Sequence, residues 1–327
     1  MDGETPAELF GYPCMEVQGF EGFGRLCYLT LLALDDLLSQ WSSGQVPPSR
    51  IAVVINLPTS DVRPLLLQHL VRAGVAAPGS TEADVFLGML QPLLQKNLHG
   101  ASLHILHGGH AGGAEALRQA QVLLNTGSAE ICLVGGVDSY LDAPTLEWLD
   151  GTQKLKTPEW PVGFIPGEGA AFLAVERLSS ARAQHKSVLA LLGPLSLVPE
   201  KVADEDRPLS GEALAQALHE VLERNPERDQ EVRVLLQDLN GEESRASEWG
   251  SALVRLREAF PQLLQLKQWL PTLSFGDVGC ATFPFLACAA TQALARGYSP
   301  GNQLLLTSSS EEGLRAALIL SGASPAS

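Results

Sequence analysis

The chain of 327 residues contains no uninterrupted run of about 18 apolar residues, so no membrane-spanning helix is expected. A basic leader is missing too: Met1 to Phe10 carries Asp2, Glu4 and Glu8 where a secretory signal would carry Lys or Arg, so a cytoplasmic location is expected. Positive charge is scarce. Twenty-two Lys and Arg stand against 37 Asp and Glu, a formal charge of -15, and long-range repulsion then excludes nucleic acid and anionic membrane surfaces as partners. The five cysteines (Cys14, Cys27, Cys132, Cys280 and Cys288) form no C-x-x-C pair and sit mostly in apolar runs, which argues for reduced core thiols and against a disulfide or zinc framework. Charged residues make up 18% of the chain and hydrophobic ones 45%, which excludes disorder as the default and leaves a globular, somewhat apolar protein.

What is present is alternation. Gly24 to Trp41 has helical periodicity, and "RIAVVINLP" (Arg50 to Pro58) reads as a buried strand. Helical patterning follows over Asp61 to Ala73 and Glu82 to Gln95, then strand "SLHIL", a helix from Ala111 to Leu124, strand "ICLVGG", a segment rich in Trp and Pro, and strand "AAFLAVE". The second half repeats the order: strand "SVLALLGPLSLV", helix Gly211 to Arg224, strand "VRVLLQDLNG", helices Ala246 to Phe260 and Ala281 to Arg296, and strands "QLLLTSSS" and "RAALILSG". This is an α/β pattern with an internal duplication. The glycines that follow two late helices, Gly127 and Gly297, set an offset of 170 residues that pairs His110 with Cys280. The polar stretch Arg177 to Lys186 separates the halves, giving units 1–180 and 181–327.

Three stretches carry a family resemblance. "HAGGAEALRQAQVLLNTGSAEICLVGGVDSYL" is similar to the nucleophile turn, helix and Gly-Gly strand of the β-ketoacyl synthases of the thiolase superfamily. "GFIPGEGAAFLAVE" resembles the strand hairpin that follows it, and "LSFGDVGCATFPFLACAATQALARG" resembles the second-half turn and helix. The resemblance spans Arg25 to Leu320 and implies a duplicated thiolase-like fold, two βαβαβαββ-like halves in a five-layered α/β/α/β/α sandwich. It also implies a homodimer with the "ICLVGG" neighbourhood and a central strand at the interface, and no cofactor.

In that family a cysteine at the turn attacks an acyl thioester, and backbone N–H groups hold the oxyanion. Here the cysteine's position falls on His110, and the two family histidines fall on Asn240 and Asp277. An ionised Asp donates no hydrogen bond, and an Asn amide does not shuttle protons near neutrality, so neither replacement keeps the condensing chemistry. The family's glycine-rich oxyanion loop resembles "TSSSEEGLRAAL", so Ser310, Glu311 and Gly313 occupy it, with Glu311 and Glu312 where small and aromatic residues are expected. Carboxylates there repel the charge the loop exists to hold, unless they point away.

The leading expectation is a synthase-like pseudoenzyme, a non-condensing accessory dimer that binds an acyl thioester or a protein partner. An adaptor or chaperone role of the kind found beside secretion-system effectors is what the resemblance adds. Two enzyme readings stand beside it: an acyl hydrolase or acyltransferase rearranged around His110 and Asp277, with Asn240 or a helix N–H polarising a carbonyl, and a 3-oxoacyl synthase with an unrecognised nucleophile. A thiol at the mouth of the cavity, or elongation of fatty chains by the purified protein, would overturn the inactive reading.

Other residues invite chemistry and are weighed against packing. His110 at a helix start is expected to be kept neutral by the positive end of the helix dipole. His104, His107 and His110 form H-x-x-H-x-x-H, which on a strand entering a helix does not converge three rings on one metal, so no metal site is assigned. Cys280 reads as a small buried thiol. Glu168 is assigned to the fold, bonding backbone N–H groups. Trp148, Trp160 and the prolines near them suit an acyl channel and interface packing equally.

Overall fold

The computed structural model describes residues 9–40, 46–59, 71, 76–77, 79–200, 210–225 and 232–323. The helical pattern read over Asp61 to Ala73 lies outside these residues, apart from position 71. In the first half, α1 (Gly22–Gln40) precedes β1 (Ile51–Asn56), α2 (Glu82–Leu93), β2 (Ser102–Leu106), α3 (Gly112–Thr126), β3 (Ile131–Ser139), α4 (Ala143–Gly151), β4 (Glu168–Glu176) and the short α5 (Leu178–Ala183). The second half runs β5 (Ala190–Pro199), α6 (Glu212–Glu223), β6 (Val232–Gln237), α7 (Glu243–Leu256), β7 (Lys267–Trp269), α8 (Thr272–Phe275), α9 (Thr282–Ala295), β8 (Gln303–Ser309) and β9 (Leu314–Gly322).

The strands form two sheets, in the orders β2-β1-β3-β4 and β5-β9-β8-β6-β7. In each, the strand before the buried helix and the strand after it flank a parallel partner, and the last two strands are antiparallel. Among the described residues the first sheet has no counterpart of β5, so the two halves are not equal repeats.

Period-2 alternation sorts side chains into layers. Val53 and Ile55 of β1, with Leu133 of β3, face α1 and α2, whereas Ala52, Val54, Cys132 and Val134 face the opposite way onto α3 and α9. On the second sheet Val234, Leu304, Leu306 and Leu318 face α3 and α9, and Leu235, Leu305 and Ile319 face α6 and α7. The layers are therefore helix, sheet, helix pair, sheet, helix, the five-layered duplicated α/β sandwich. The middle pair is small-residue rich: Ala114, Ala116, Ala120, Ala287, Ala290 and Ala293 are buried, which lets two helices lie between two sheets.

Several readings of the sequence need correction. The Trp- and Pro-rich segment contains α4, started by Asp142, whose carboxylate accepts the Thr145 N–H at 3.0 Å. Pro144 lies in the first turn of that helix, where a missing N–H costs nothing, so proline marks a start there and not a break. The polar stretch between the halves holds α5. β3 carries "ICLVGG" but is buried throughout and paired on both edges, by β1 and β4. Its backbone is thus paired within the sheet, whose edges among the described residues are β2 and β4.

Candidate functional site

Asn56 ends β1, where a buried apolar strand stops on an amide. Its Nδ2 donates to the carbonyls of Gly109 at 2.7 Å and Cys280 at 2.9 Å, and its Oδ1 accepts the Gly108 N–H at 3.0 Å. One side chain thus ties together two turns that come from opposite halves of the sequence.

Those turns are copies. Gly109–Ala111 and Gly279–Ala281 each make one turn of 3-10 helix before α3 and α9, entered with φ/ψ of -123°/17° at Gly108 and -115°/22° at Val278. Gly109 and Gly279 have φ of +56° and +49°, a left-handed conformation that favours glycine. A Cβ on either would also strike a carboxylate, that of Glu312 at Gly109 and that of Asp138 at Gly279. The 170-residue offset therefore holds in three dimensions, with His110 and Cys280 at matching tips.

The structure brings His110, Asn240 and Asp277 together. His110 Nε2 lies 2.8 Å and 3.0 Å from the two Asp277 carboxylate oxygens, and Asn240 Nδ2 donates to Asp277 Oδ2 at 2.6 Å. Asp277 Oδ1 also accepts the Gly279 N–H at 2.8 Å. Both residues of the central pair are buried. Burial disfavours the charged ring, but the Asp277 carboxylate and its hydrogen bond outweigh it, so the His110 pKa is raised. This reverses the neutral ring expected from the helix dipole, because a carboxylate in contact acts more strongly than a partial charge at the helix end. Asp277 is likewise opposed by burial, yet His110 holds it well below the usual carboxylate range.

Around this pair the donors are consumed. Asn240 Nδ2 also donates to Glu242 Oε2 at 2.9 Å, and its Oδ1 accepts the Glu242 N–H at 3.0 Å. The Ala111 N–H donates to Ser310 Oγ at 2.8 Å, and Ser310 Oγ donates to the Gly108 carbonyl at 2.5 Å. The Asn240 amide and the Ala111 N–H are therefore both engaged within the protein. In the loop matched to the oxyanion hole, the Ser310 N–H donates to Leu314 O and the Gly313 N–H to Ser310 O. Glu311 and Glu312 do not point away: Glu311 pairs with Lys154 at 2.6 Å, and Glu312 lies against Gly109.

A ring of charge holds this loop, and no motif announced it. Arg245 Nη1 donates to Asp238 Oδ2 at 2.8 Å and to the Ser309 carbonyl at 2.7 Å, and its Nε to Glu242 Oε2 at 3.0 Å. Arg315 pairs with Glu248 at 2.5 Å and donates to the Ser310 carbonyl at 2.7 Å. The sequence signal was a cluster of charges in "QDLNGEESRASEW", an ordinary solvated helix face until the fold buries it.

The cavity above His110 has a volume of about 20 Å³, room for about one water. Tyr140, Trp148, Lys154, Glu311, Glu312 and Cys280 line it with His110. Cys280, on the second turn, is thus among the residues that line the cavity, and it is 3% exposed. Trp148 faces the cavity, whereas Trp160 is 43% exposed. Of the other histidines, His104 bonds Ser102 Oγ at 3.1 Å and His107 bonds the Leu57 carbonyl at 2.9 Å, so the three rings of the H-x-x-H-x-x-H run turn to different partners. Glu168 accepts the Cys14 N–H, the Ser139 hydroxyl and two guanidinium bonds from Arg25, a clamp of the chain start onto β4.

No protein-family model and no curated protein sequence matches the chain. Solved structures do. A chain from the complex of a type II PKS acyl-carrier protein with its ketosynthase bound to the hexaketide superposes with a TM-score of 0.77 at 14% identity, covering 95% of this chain and 87% of that one. A β-ketoacyl synthase from Burkholderia phymatum gives 0.72 at 14% identity, with 92% and 83% covered. The ishigamide ketosynthase/chain length factor gives 0.66 at 20% identity, with 94% and 84% covered. No helix among the described residues is long and apolar enough to cross a membrane. By its layers, its strand order and these superpositions, the chain has a ketosynthase-like fold.

Proposed function

We propose that the chain is a non-condensing, ketosynthase-like accessory protein that acts by binding, as a cytoplasmic dimer of two fused halves, 1–180 and 181–327. The observation that carries this reading is the state of Asp277. Its buried carboxylate takes hydrogen bonds from His110, Asn240 and Gly279, and the cavity beside His110 has room for about one water. A base so saturated has no lone pair directed at a substrate, and the amide that replaces the family's other histidine is equally engaged. The negative net charge further disfavours docking of an acidic carrier protein.

The contact between His110 and Asp277 is also what a rearranged acyl hydrolase needs, and Cys280 supplies the thiol that a cryptic synthase needs. Against both, Asp138, Glu311 and Glu312 surround the cavity and disfavour a second anion there. Incubation with radiolabelled acyl-CoA and acyl carrier protein decides. The expected result is neither covalent label nor released acid. Label on the Cys280 peptide establishes the synthase reading in place of ours, and steady release of acid the hydrolase.

The dimer we assign forms through β2. Its outer edge pairs with no strand among the described residues, and Leu103, Ile105 and Leu106 bring no charge that would block pairing. Two copies of one edge meet naturally about a twofold axis. Sedimentation is expected to give twice the chain mass of 34.8 kDa, with the amides of 102–106 losing protection from hydrogen exchange on dilution. A monomer at every concentration rules the dimer out.

A further inference from the structure

The two walls of the cavity mouth come from different halves of the chain. Lys154 sits on a turn whose backbone is fixed: its N–H donates to the Leu149 carbonyl at 3.0 Å, and its carbonyl accepts the Phe164 N–H at 2.9 Å. Glu311 sits on the loop between β8 and β9, which Arg245 and Arg315 grip through the Ser309 and Ser310 carbonyls. Between these two walls runs one ion pair, Lys154 Nζ to Glu311 Oε1 at 2.6 Å, with the ammonium also over the Trp148 ring at 5.9 Å from its centroid. The two side chains are 25% and 41% exposed. His110 and Cys280, both buried, line the same small cavity.

We propose that the Lys154–Glu311 pair is a latch that seals the cavity, and that its release exposes the Cys280 thiol to reagents the closed form excludes. Side chains alone make the closure, so it opens by rotation about long, flexible stems while the backbone on both sides stays in place. Water and salt reach the pair, so its strength falls with ionic strength, unlike that of the buried charges beneath it. The thiol is the natural reporter because it occupies the tip of the second turn, opposite His110. The latch is independent of whether acyl groups are turned over, so the acyl-CoA experiment and this one fail separately.

The test is alkylation of the full chain by iodoacetamide, read peptide by peptide by mass spectrometry. Sulfur attacks the methylene carbon, iodide leaves, and the thiol proton goes to buffer. At low salt Cys280 is expected to react far more slowly than the partly exposed Cys14. Raising salt to about 1 M, which shortens the screening length to roughly 3 Å, is expected to speed Cys280 by about tenfold. Lys154→Met and Glu311→Gln are each expected to do the same at low salt, and the exchange Lys154→Glu with Glu311→Lys to restore protection. Cys132, in the core between the sheets, is expected to stay unlabelled throughout. The latch is overturned if Cys280 reacts as fast as Cys14 at low salt, or if neither salt nor the single variants change its rate. Labelling of Cys132 in step with Cys280 also overturns it, since that reports global opening. Should the variants not fold, the salt series on the unaltered chain decides by the same criteria.

Discussion

Replacing Asp277 by alanine is expected to lower folding stability by about 3–5 kcal/mol, the cost of removing one partner from a buried ion pair. The substitution leaves the buried His110 ring and the Gly279 N–H without this acceptor and costs the Asn240 amide one of its two carboxylate partners. Urea denaturation measures it, and a loss within 1 kcal/mol or so, the range of an exposed pair, would show the network to be unimportant. The pair also sets a pH window. His110 is raised above its ordinary 6.5, so its contribution is complete below that pH and is lost as pH rises through the folded-state value. Asp277 is depressed below 3.8, so its share is present above that pH and is lost only as pH falls toward the folded-state value. Stability from the pair is therefore fullest between about 4 and 6.5 and declines on the alkaline side. In Asp277→Asn the alkaline decline attributable to His110 is expected to disappear, because the ring no longer has an anion to keep it protonated. An unchanged slope in that variant assigns the decline elsewhere.

The second large effect concerns Arg315, one of the largest side chains in the protein that is fully buried. Glu248→Leu is expected to cost about 3–5 kcal/mol, because a guanidinium is left in the core with no counter-charge. The double change Glu248→Leu with Arg315→Met is expected to recover most of that loss, since an apolar pair of similar volume removes both charges at once. It will fall short of the parent by about 1–3 kcal/mol, the cost of the Ser310 carbonyl losing its charged donor. A double-mutant cycle by chemical denaturation supplies the coupling. If the double variant is no better than the single one, an uncompensated charge is not what destabilises Glu248→Leu, and Arg315 acts through packing and its grip on the loop.

Those two sites differ in how far they could be read in advance. His110, Asn240 and Asp277 were legible because each sits in a glycine-bearing turn whose spacing survives in the primary structure, and the 170-residue offset already paired His110 with Cys280. That the three side chains would bind one another was not legible. It depends on two turns from separate halves being pinned by Asn56, a residue that looked like the polar end of a strand. Arg245 showed only as one member of a charge cluster and Arg315 not at all, since a charged residue on an amphipathic helix or strand is ordinarily solvated. The protonation of His110 was misjudged for the same reason: the helix start is visible in the order of residues, whereas the carboxylate against the ring arrives from 167 residues away.

Local order thus determined the things that depend on neighbours along the chain. Period-2 and period-3.6 patterns marked the strands and helices, small residues marked the two turns, and His110 in place of a cysteine at the first of them is what the non-condensing reading rests on. The tertiary structure decided what depends on convergence: that Asp277 is saturated, that the cavity is nearly filled, that Cys280 lines it with His110, and that Lys154 and Glu311 pair beside it. Backbone propensity and side-chain alternation act over a few residues and can be read in order, but electrostatic and packing contacts act through space, between segments whose meeting only the folded chain specifies.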